Sequence, residues 1–111
     1  SRRIEHRVAG ADTNVYLVAA SILGAALDGI ENHIAAPEPV IGDTTRAIAE
    51  KENSLPATWF DAIRSFEGGD LIEGVIGEIA HDMIIRTKKQ EYLAFRREVS
   101  HFEYKSYLET V

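Results

Sequence analysis

Val15-Tyr16-Leu17-Val18-Ala19-Ala20-Ser21-Ile22-Leu23-Gly24-Ala25-Ala26-Leu27 holds no charged residue, and its reading decides the fold. A helix that is apolar all round is buried all round, so this stretch is expected to be a central helix walled in by other elements. Ala19, Ala20, Gly24, Ala25 and Ala26 are small enough to let neighbouring backbones come close. Gly24 costs about 1 kcal/mol against alanine inside a helix, and close packing there is the expected compensation. Residues 9–14 read as a turn, and Thr13 or Asn14 can cap the helix through a side-chain oxygen. The helix is expected over residues 15–33, within a buried unit spanning 14–34. The uncharged run from Thr13 to Leu27 is shorter than the roughly 20 apolar residues that cross a bilayer. It follows a charged start and no signal-peptide cleavage pattern accompanies it, so no membrane partner is expected.

On the amino-terminal side, residues 2–8 alternate as a strand does, with side chains at i, i+2 and i+4 sharing a face. Arg3, Glu5 and Arg7 then line one face and Ile4, His6 and Val8 the other. The expected strand covers residues 1–9. A lone strand is not stable in water, and no pairing partner is evident in the chain, so it is expected to join a larger sheet made elsewhere.

On the carboxyl side, residues 35–57 read as a loop region, with Pro37, Pro39 and Gly42 and a short exposed helix over 44–51. A helical end over 58–111 follows. Thr58 with Asp61 reads as a capping box in which hydroxyl and carboxylate each satisfy an amide. That helix is expected to stop at Phe66, before Gly68 and Gly69. Asp70 is expected to cap a short helix, with Glu73 three residues on. A long helix is expected over 78–99, its apolar stripe formed by Ile85, Tyr92, Phe95 and Val99, with Asp82 and Arg86 as an i,i+4 pair. Ser100 and Glu103 form a further capping box opening a last helix to about residue 109. Phe102, Tyr104, Tyr107 and Leu108 give that helix large apolar groups, which fold back on the stripe or insert into a neighbouring subunit; the second is favoured. The fold class is thus mainly α, with one amino-terminal β-strand.

The 111 residues suit one domain. With 18 acidic and 12 basic residues the formal charge is −6, which excludes a general nucleic-acid binder, since that function needs a basic surface. The absence of cysteine excludes disulfides, thiolate chemistry and Cys-type zinc sites and fits a reducing, cytoplasmic setting. The chain begins at Ser1 rather than at methionine, as a fragment or processed product would.

Arg3, Glu5 and Arg7 are the chemically loaded feature. Nearby positive charge favours the anionic form of a carboxylate, and an ionised carboxylate is a good oxygen ligand for magnesium. Guanidiniums fork onto phosphates or a substrate carboxylate. The plain alternative is a solvated edge with ordinary ion pairs. His6, His33, His81 and His101 show no metal-binding spacing and read as surface or helix-end residues. Trp59 and Phe60 read as core anchors, and the run Arg86-Thr87-Lys88-Lys89 as a solvated face. There is no glycine-rich phosphate loop and no Ser-His-Asp grouping.

Taken in order, Arg2-Arg3-Ile4-Glu5-His6-Arg7, Gly10-Ala11-Asp12-Thr13-Asn14-Val15-Tyr16-Leu17, Leu27-Asp28-Gly29-Ile30-Glu31-Asn32, Leu55-Pro56-Ala57-Thr58-Trp59 and Phe95-Arg96-Arg97-Glu98-Val99 resemble the closing segment of glutamine synthetases. The wording from Glu5 to Asp12 is most similar to the branch that joins glutamate to polyamines or other amines, the γ-glutamylpolyamine synthetase-like branch. The resemblance implies the carboxyl-terminal part of a catalytic domain. It implies an ATP-dependent ligase that forms an amide on the side-chain carboxylate of glutamate, with ammonia or an amine, through an acyl phosphate. On this resemblance Glu5 is a ligand of a catalytic magnesium or manganese ion, Arg3 meets the ATP phosphates and Arg7 meets the substrate glutamate. The implied partners are the remainder of the catalytic domain and further copies in stacked double rings. Val15 stands where the family usually has proline. The family's other metal and nucleotide contacts lie upstream, so the isolated chain is expected to be inactive. The competing reading is a non-catalytic helical scaffold or oligomerisation module.

Overall fold

Capping chemistry fixes where the helices begin. The computed structural model describes residues 3–39, 41–42, 55–108 and 110, and among these there are five helices and no strand. Helix α1 is Val15–Glu31, α2 is Trp59–Glu67, α3 is Asp70–Ile76, α4 is Glu78–Phe95 and α5 is His101–Tyr107. The Asn14 side chain accepts the amides of Tyr16 and Leu17 and so opens α1. Thr58 accepts the Asp61 amide at 3.1 Å. The Asp61 carboxylate does not complete a reciprocal box: it takes the Thr58 hydroxyl at 2.6 Å, because aspartate is one methylene shorter than the glutamate that usually reaches back to the cap amide. At α5 the full box forms, with Ser100 and Glu103 each holding the other's amide.

Several boundaries differ from the sequence reading. Helix α1 ends at Glu31 rather than at residue 33. His33 takes a left-handed φ of 51°, its amide bonds back to Ile30 and that of Ile34 to Gly29, the pattern that closes a helix with a left-handed residue. Asp70 does not cap α3; Gly69 occupies the cap without a side-chain bond, and Asp70 is the first helical residue. Helix α4 stops at Phe95, so Val99 leaves the stripe and is 73% exposed. The short helix expected over residues 44–51 lies outside the described residues.

The helices pack as a chain of neighbours: α1 lies on α3, α3 on α4, and α4 on α2. The first contact is close. A side-chain carbon placed on Gly24 would lie 2.2 Å from Val75 Cγ2, so only glycine admits α3 at this distance. The core centres on α2 and α4, where Ile63, Ile85 and His81 are buried. Around them Trp59 meets Tyr92 edge-on at 5.7 Å and Phe95 at 5.5 Å, and Phe60 stacks on Tyr92. Lys89 pairs with Glu67 across the two helices.

Within this chain helix α1 is not buried all round, although its composition is apolar on every side. It contains no fully buried residue. Val18, Ser21, Ile22 and Gly24 are half-buried on one side, whereas Tyr16, Leu23, Leu27 and Ile30 are exposed. The physical reason is that α3 covers a single stripe, and no other described helix packs extensively on α1. The exposure is general. The accessible surface is 10374 Å², where a compact 12.3 kDa protein exposes about 6,100 Å². The radius of gyration is 18.2 Å against about 13 Å for a compact domain of this length. Helix α5 makes no extensive contact with the other described helices, and it does not fold back onto the stripe of α4. No helix among the described residues is long and apolar enough to cross a membrane.

Candidate functional site

Residues 3–8 form no strand within this chain, so the strand expected over 1–9, whose sheet was to be made elsewhere, is not seen here. A strand needs a partner for its amides and carbonyls, and among the described residues no backbone hydrogen bond joins residues 3–9 to another element. The two-sided pattern persists only in part without a sheet, since Ile4 is 92% exposed. His6 and Val8 border a groove of about 650 Å³ shared with α1, α3 and α4, while Arg3, Glu5 and Arg7 lie outside it and meet one another.

That meeting is the geometry of the site. Arg7 Nε donates to Glu5 Oε1 at 2.6 Å, and Arg7 Nη2 lies 2.5 Å from the same oxygen. Arg3 Nη2 donates to the other oxygen, Oε2, at 3.4 Å. Both oxygens of Glu5 thus face guanidiniums. All three side chains are exposed, and ion pairs in that setting contribute about 0–1 kcal/mol, so the arginines are free to exchange Glu5 for another anion. A phosphate or a carboxylate offers the planar guanidiniums a comparable pair of anionic oxygens, and such an exchange would free Glu5 for a hard cation.

The described residues do not make a metal centre by themselves. Among them no group of three or more His, Asp or Glu side chains is placed to hold an ion. Glu5 supplies one oxygen ligand type where magnesium demands near-octahedral coordination. The described residues alone therefore do not complete a magnesium site.

The triplet is joined to α1 by a tight turn. The amide and hydroxyl of Thr13 both donate to Gly10 O, at 3.3 Å and 2.7 Å. Asn14 then holds the Tyr16 and Leu17 amides at 3.0 and 3.2 Å, and its own carbonyl accepts the Val18 amide at 3.0 Å.

His81, read from sequence as a surface or helix-end residue, is instead the most buried of the three buried side chains among the described residues, at 4% exposure. Its Nε2 lies 2.8 Å from Phe66 O; a carbonyl can only accept, so Nε2 carries the proton. Its ring packs on Phe66 at 4.8 Å, and Nδ1 is 3.6 Å from the Glu73 carboxylate. One imidazole thus ties the end of α2 to α3 and α4. The signal was the stripe of α4 itself: His81 precedes Ile85 by one turn, and extending the stripe backward places it inward. Trp59 and Phe60 link α2 to α4 through aromatic contacts, but at 39% and 44% exposure they are not buried core residues as expected. Arg86 pairs with Asp82 at 2.7 Å, as its spacing predicts, and that contact raises the guanidinium's pKa above its ordinary value.

Known proteins supply the remaining finding. The family described as glutamine synthetase, catalytic domain, matches residues 1–107. The protein named glutamine synthetase in Staphylococcus epidermidis is 32% identical over 113 residues, covering 97% of this chain and 25% of that protein. Its namesake in Staphylococcus aureus is 31% identical over the same span. The chain therefore spans about a quarter of the length of these relatives. A match that runs from the Arg3-Glu5-Arg7 triplet through α5 carries one conclusion: the chain belongs to the glutamine synthetase catalytic-domain family.

Proposed function

We propose that this chain supplies one edge of the active site, and the helical end, of an ATP-dependent ligase that joins glutamate to ammonia or an amine. The γ-phosphoryl group of ATP passes to the side-chain carboxylate of glutamate. The amine nitrogen then attacks the acyl phosphate, phosphate leaves, and an amide remains. The observation that carries the reading is the Arg3–Glu5–Arg7 contact within a chain of this family. Arg3 meets the phosphates of ATP, Arg7 meets the glutamate substrate, and Glu5 is one ligand of a magnesium or manganese ion. Guanidiniums stabilise the charge that spreads over transferring phosphoryl oxygens. A divalent cation, when bound, adds further neutralisation of the same oxygens.

The isolated chain is inactive on this reading, because it brings one metal ligand and no phosphate loop. Residues 1–9 join a sheet made by the rest of the catalytic domain, residues 14–34 form its buried helix, 35–57 a connecting region and 58–111 the helical end. The exposed side of α1 is covered by that remainder. The aromatic face of α5 seats on a neighbouring subunit in a double-ring homo-oligomer. The amine is a polyamine or related amine, a reading supported by the wording from Glu5 to Asp12. The setting is cytoplasmic.

The test uses the full-length protein. Glu5→Ala is expected to remove most turnover per folded molecule, while His81→Ala lowers stability and leaves turnover per folded molecule near the parent value. Near-normal turnover of the Glu5 variant at saturating magnesium overturns the metal role. Product formation with putrescine or spermidine, compared with ammonia, decides the amine. An intact oligomer with no glutamate-dependent ATP turnover supports the scaffold reading instead.

A further inference from the structure

We propose that His81 and Glu73 form a proton-operated tie between α3 and α4, closed when the imidazole is charged and open when it is neutral. The two helices meet end to end at Gly77, and side-chain contacts farther along each helix hold their angle. His81 sits among those contacts, with its side chain 6% exposed. Its walls are Phe66 at the end of α2, Glu73 on α3 and its own helix. All of these walls belong to this chain.

Both ring nitrogens face acceptors. Nε2 donates to Phe66 O at 2.8 Å. In the neutral ring Nδ1 is then an acceptor itself, yet it faces the Glu73 carboxylate, which also only accepts, at 3.6 Å. An imidazole between two acceptors is satisfied on both sides only as the imidazolium. With the proton on Nδ1, a shift of about 0.7 Å brings Glu73 to the length of a charge-assisted hydrogen bond. The surroundings favour that charge. Beside the ring is a cleft of about 550 Å³ bordered by Glu67, Glu73, Glu78, Asp82 and Arg86. The basic side chains there are engaged: Arg86 with Asp82 on α4, and Lys89 of α4 with Glu67 of α2. Burial of the ring opposes the charge, so Glu73 decides whether the proton binds usefully.

The direction of the effect follows. A histidine that gains an anionic partner on folding contributes stability that is present while the ring is protonated and lost as pH rises through its titration. Imidazoles change charge between about pH 5 and 8. A rise across that range therefore loosens α3 against α4. The loosening reaches α1 as well, because Val75, two residues beyond Glu73, is the side chain that seats Gly24.

The test is amide exchange of the full-length protein at pH 6 and pH 8, with exchange times scaled to the intrinsic amide rate at each pH. Peptides covering residues 70–76 are expected to lose about three- to tenfold in protection from the lower pH to the higher, the order of one partly exposed charged contact. Glu73→Gln, which removes the anion, is expected to give a flat or inverted dependence. His81→Gln, which keeps an amide donor for Phe66 O and does not titrate, is expected to give a flat one. Unchanged protection in the parent overturns the proposal. So does a loss on raising pH that persists in Glu73→Gln, or one shared equally by peptides covering residues 101–107. Glu73 is 48% exposed, so its variant folds and decides alone if His81→Gln does not.

Discussion

Helices α2 and α4 meet through groups that complete one another, whereas α1 presents its most apolar stretch to α3 on one side and to solvent on the other. Between α2 and α4, Ile63 and Ile85 are buried, aromatic rings interlock and His81 satisfies a backbone carbonyl. Along α1, Tyr16, Leu23, Leu27 and Ile30 stay exposed although no charge interrupts the stretch from Val15 to Leu27. Composition states how much surface an element has to hide. It does not state which part of the polypeptide hides it. A pair such as α2 and α4 is self-contained, while α1 is half of a contact.

Substitution on the uncovered side of α1 tests that contrast most sharply. Leu23→Asp in the full-length protein is expected to abolish most soluble, folded product, because it buries an unpaired charge if the proposed cover is present. The same change in the 111-residue chain is expected to shift urea-unfolding stability by only about 0.5 kcal/mol or less, as exposed substitutions do. Equal effects in the two proteins would show that α1 faces solvent in both.

The self-contained region responds in the opposite way. His81→Ala is expected to cost about 1–3 kcal/mol in the isolated chain, since it withdraws a buried donor from Phe66 O and leaves space beside the Phe66 ring. Urea unfolding reads the loss directly. A neutral result would mean that the Gly69 amide, 3.2 Å from the same carbonyl, suffices alone.

At the joint between the two regions, Gly24→Ala is expected to cost about 1–2 kcal/mol through overlap with Val75, even after the gain of about 1 kcal/mol that alanine brings to a helix. In a Val75→Ala background the same change is expected to become stabilising. The double-mutant cycle checks whether the close approach, rather than glycine's flexibility, sets the contact.

The smallest effect concerns α5. Ser100→Ala is expected to remove about 1 kcal/mol of local helix stability. The Ser100 amide, and then its hydroxyl, hold the Glu103 carboxyl below its ordinary pKa. A depressed carboxylate contributes stability that is present above its unfolded pKa and lost as pH falls through the folded one. Acidification through the lower carboxylate range is therefore expected to open the cap, and amide exchange of Glu103 and Tyr104 measures it.

Helix starts were legible because capping is local: Asn14, Thr58 and Ser100 each find their partners within three residues. Gly24 was legible for a related reason, since a costly residue inside a helix implies something close by. The stripe of α4, extended back one turn from Ile85, points His81 inward, but the partner it meets there was not legible. That partner is Phe66, fifteen residues away, carried to α4 by the break at Gly68 and Gly69. The one-sided exposure of α1 was hidden because uniform apolarity holds no record of which face meets a partner. At the site, the period of two put Arg3, Glu5 and Arg7 together, and they do touch. The same period suggested a strand, which does not form here because no other described element offers it hydrogen-bond partners.

Gly77 gives the helical end its shape at the scale of a single codon. It closes α3 and opens α4 at φ 85° and ψ 149°, a conformation that L-residues with side chains rarely adopt. Any other residue there is pushed toward helical angles, and residues 70–95 then tend to run on as one rod of about 39 Å. Straightening that rod swings Val75 off Gly24, turns His81 away from Glu73 and separates α1 from the rest. The bend is thus an architectural hinge with no redundancy, and drift at this one position changes the outline of the whole helical end before it touches any residue proposed for chemistry.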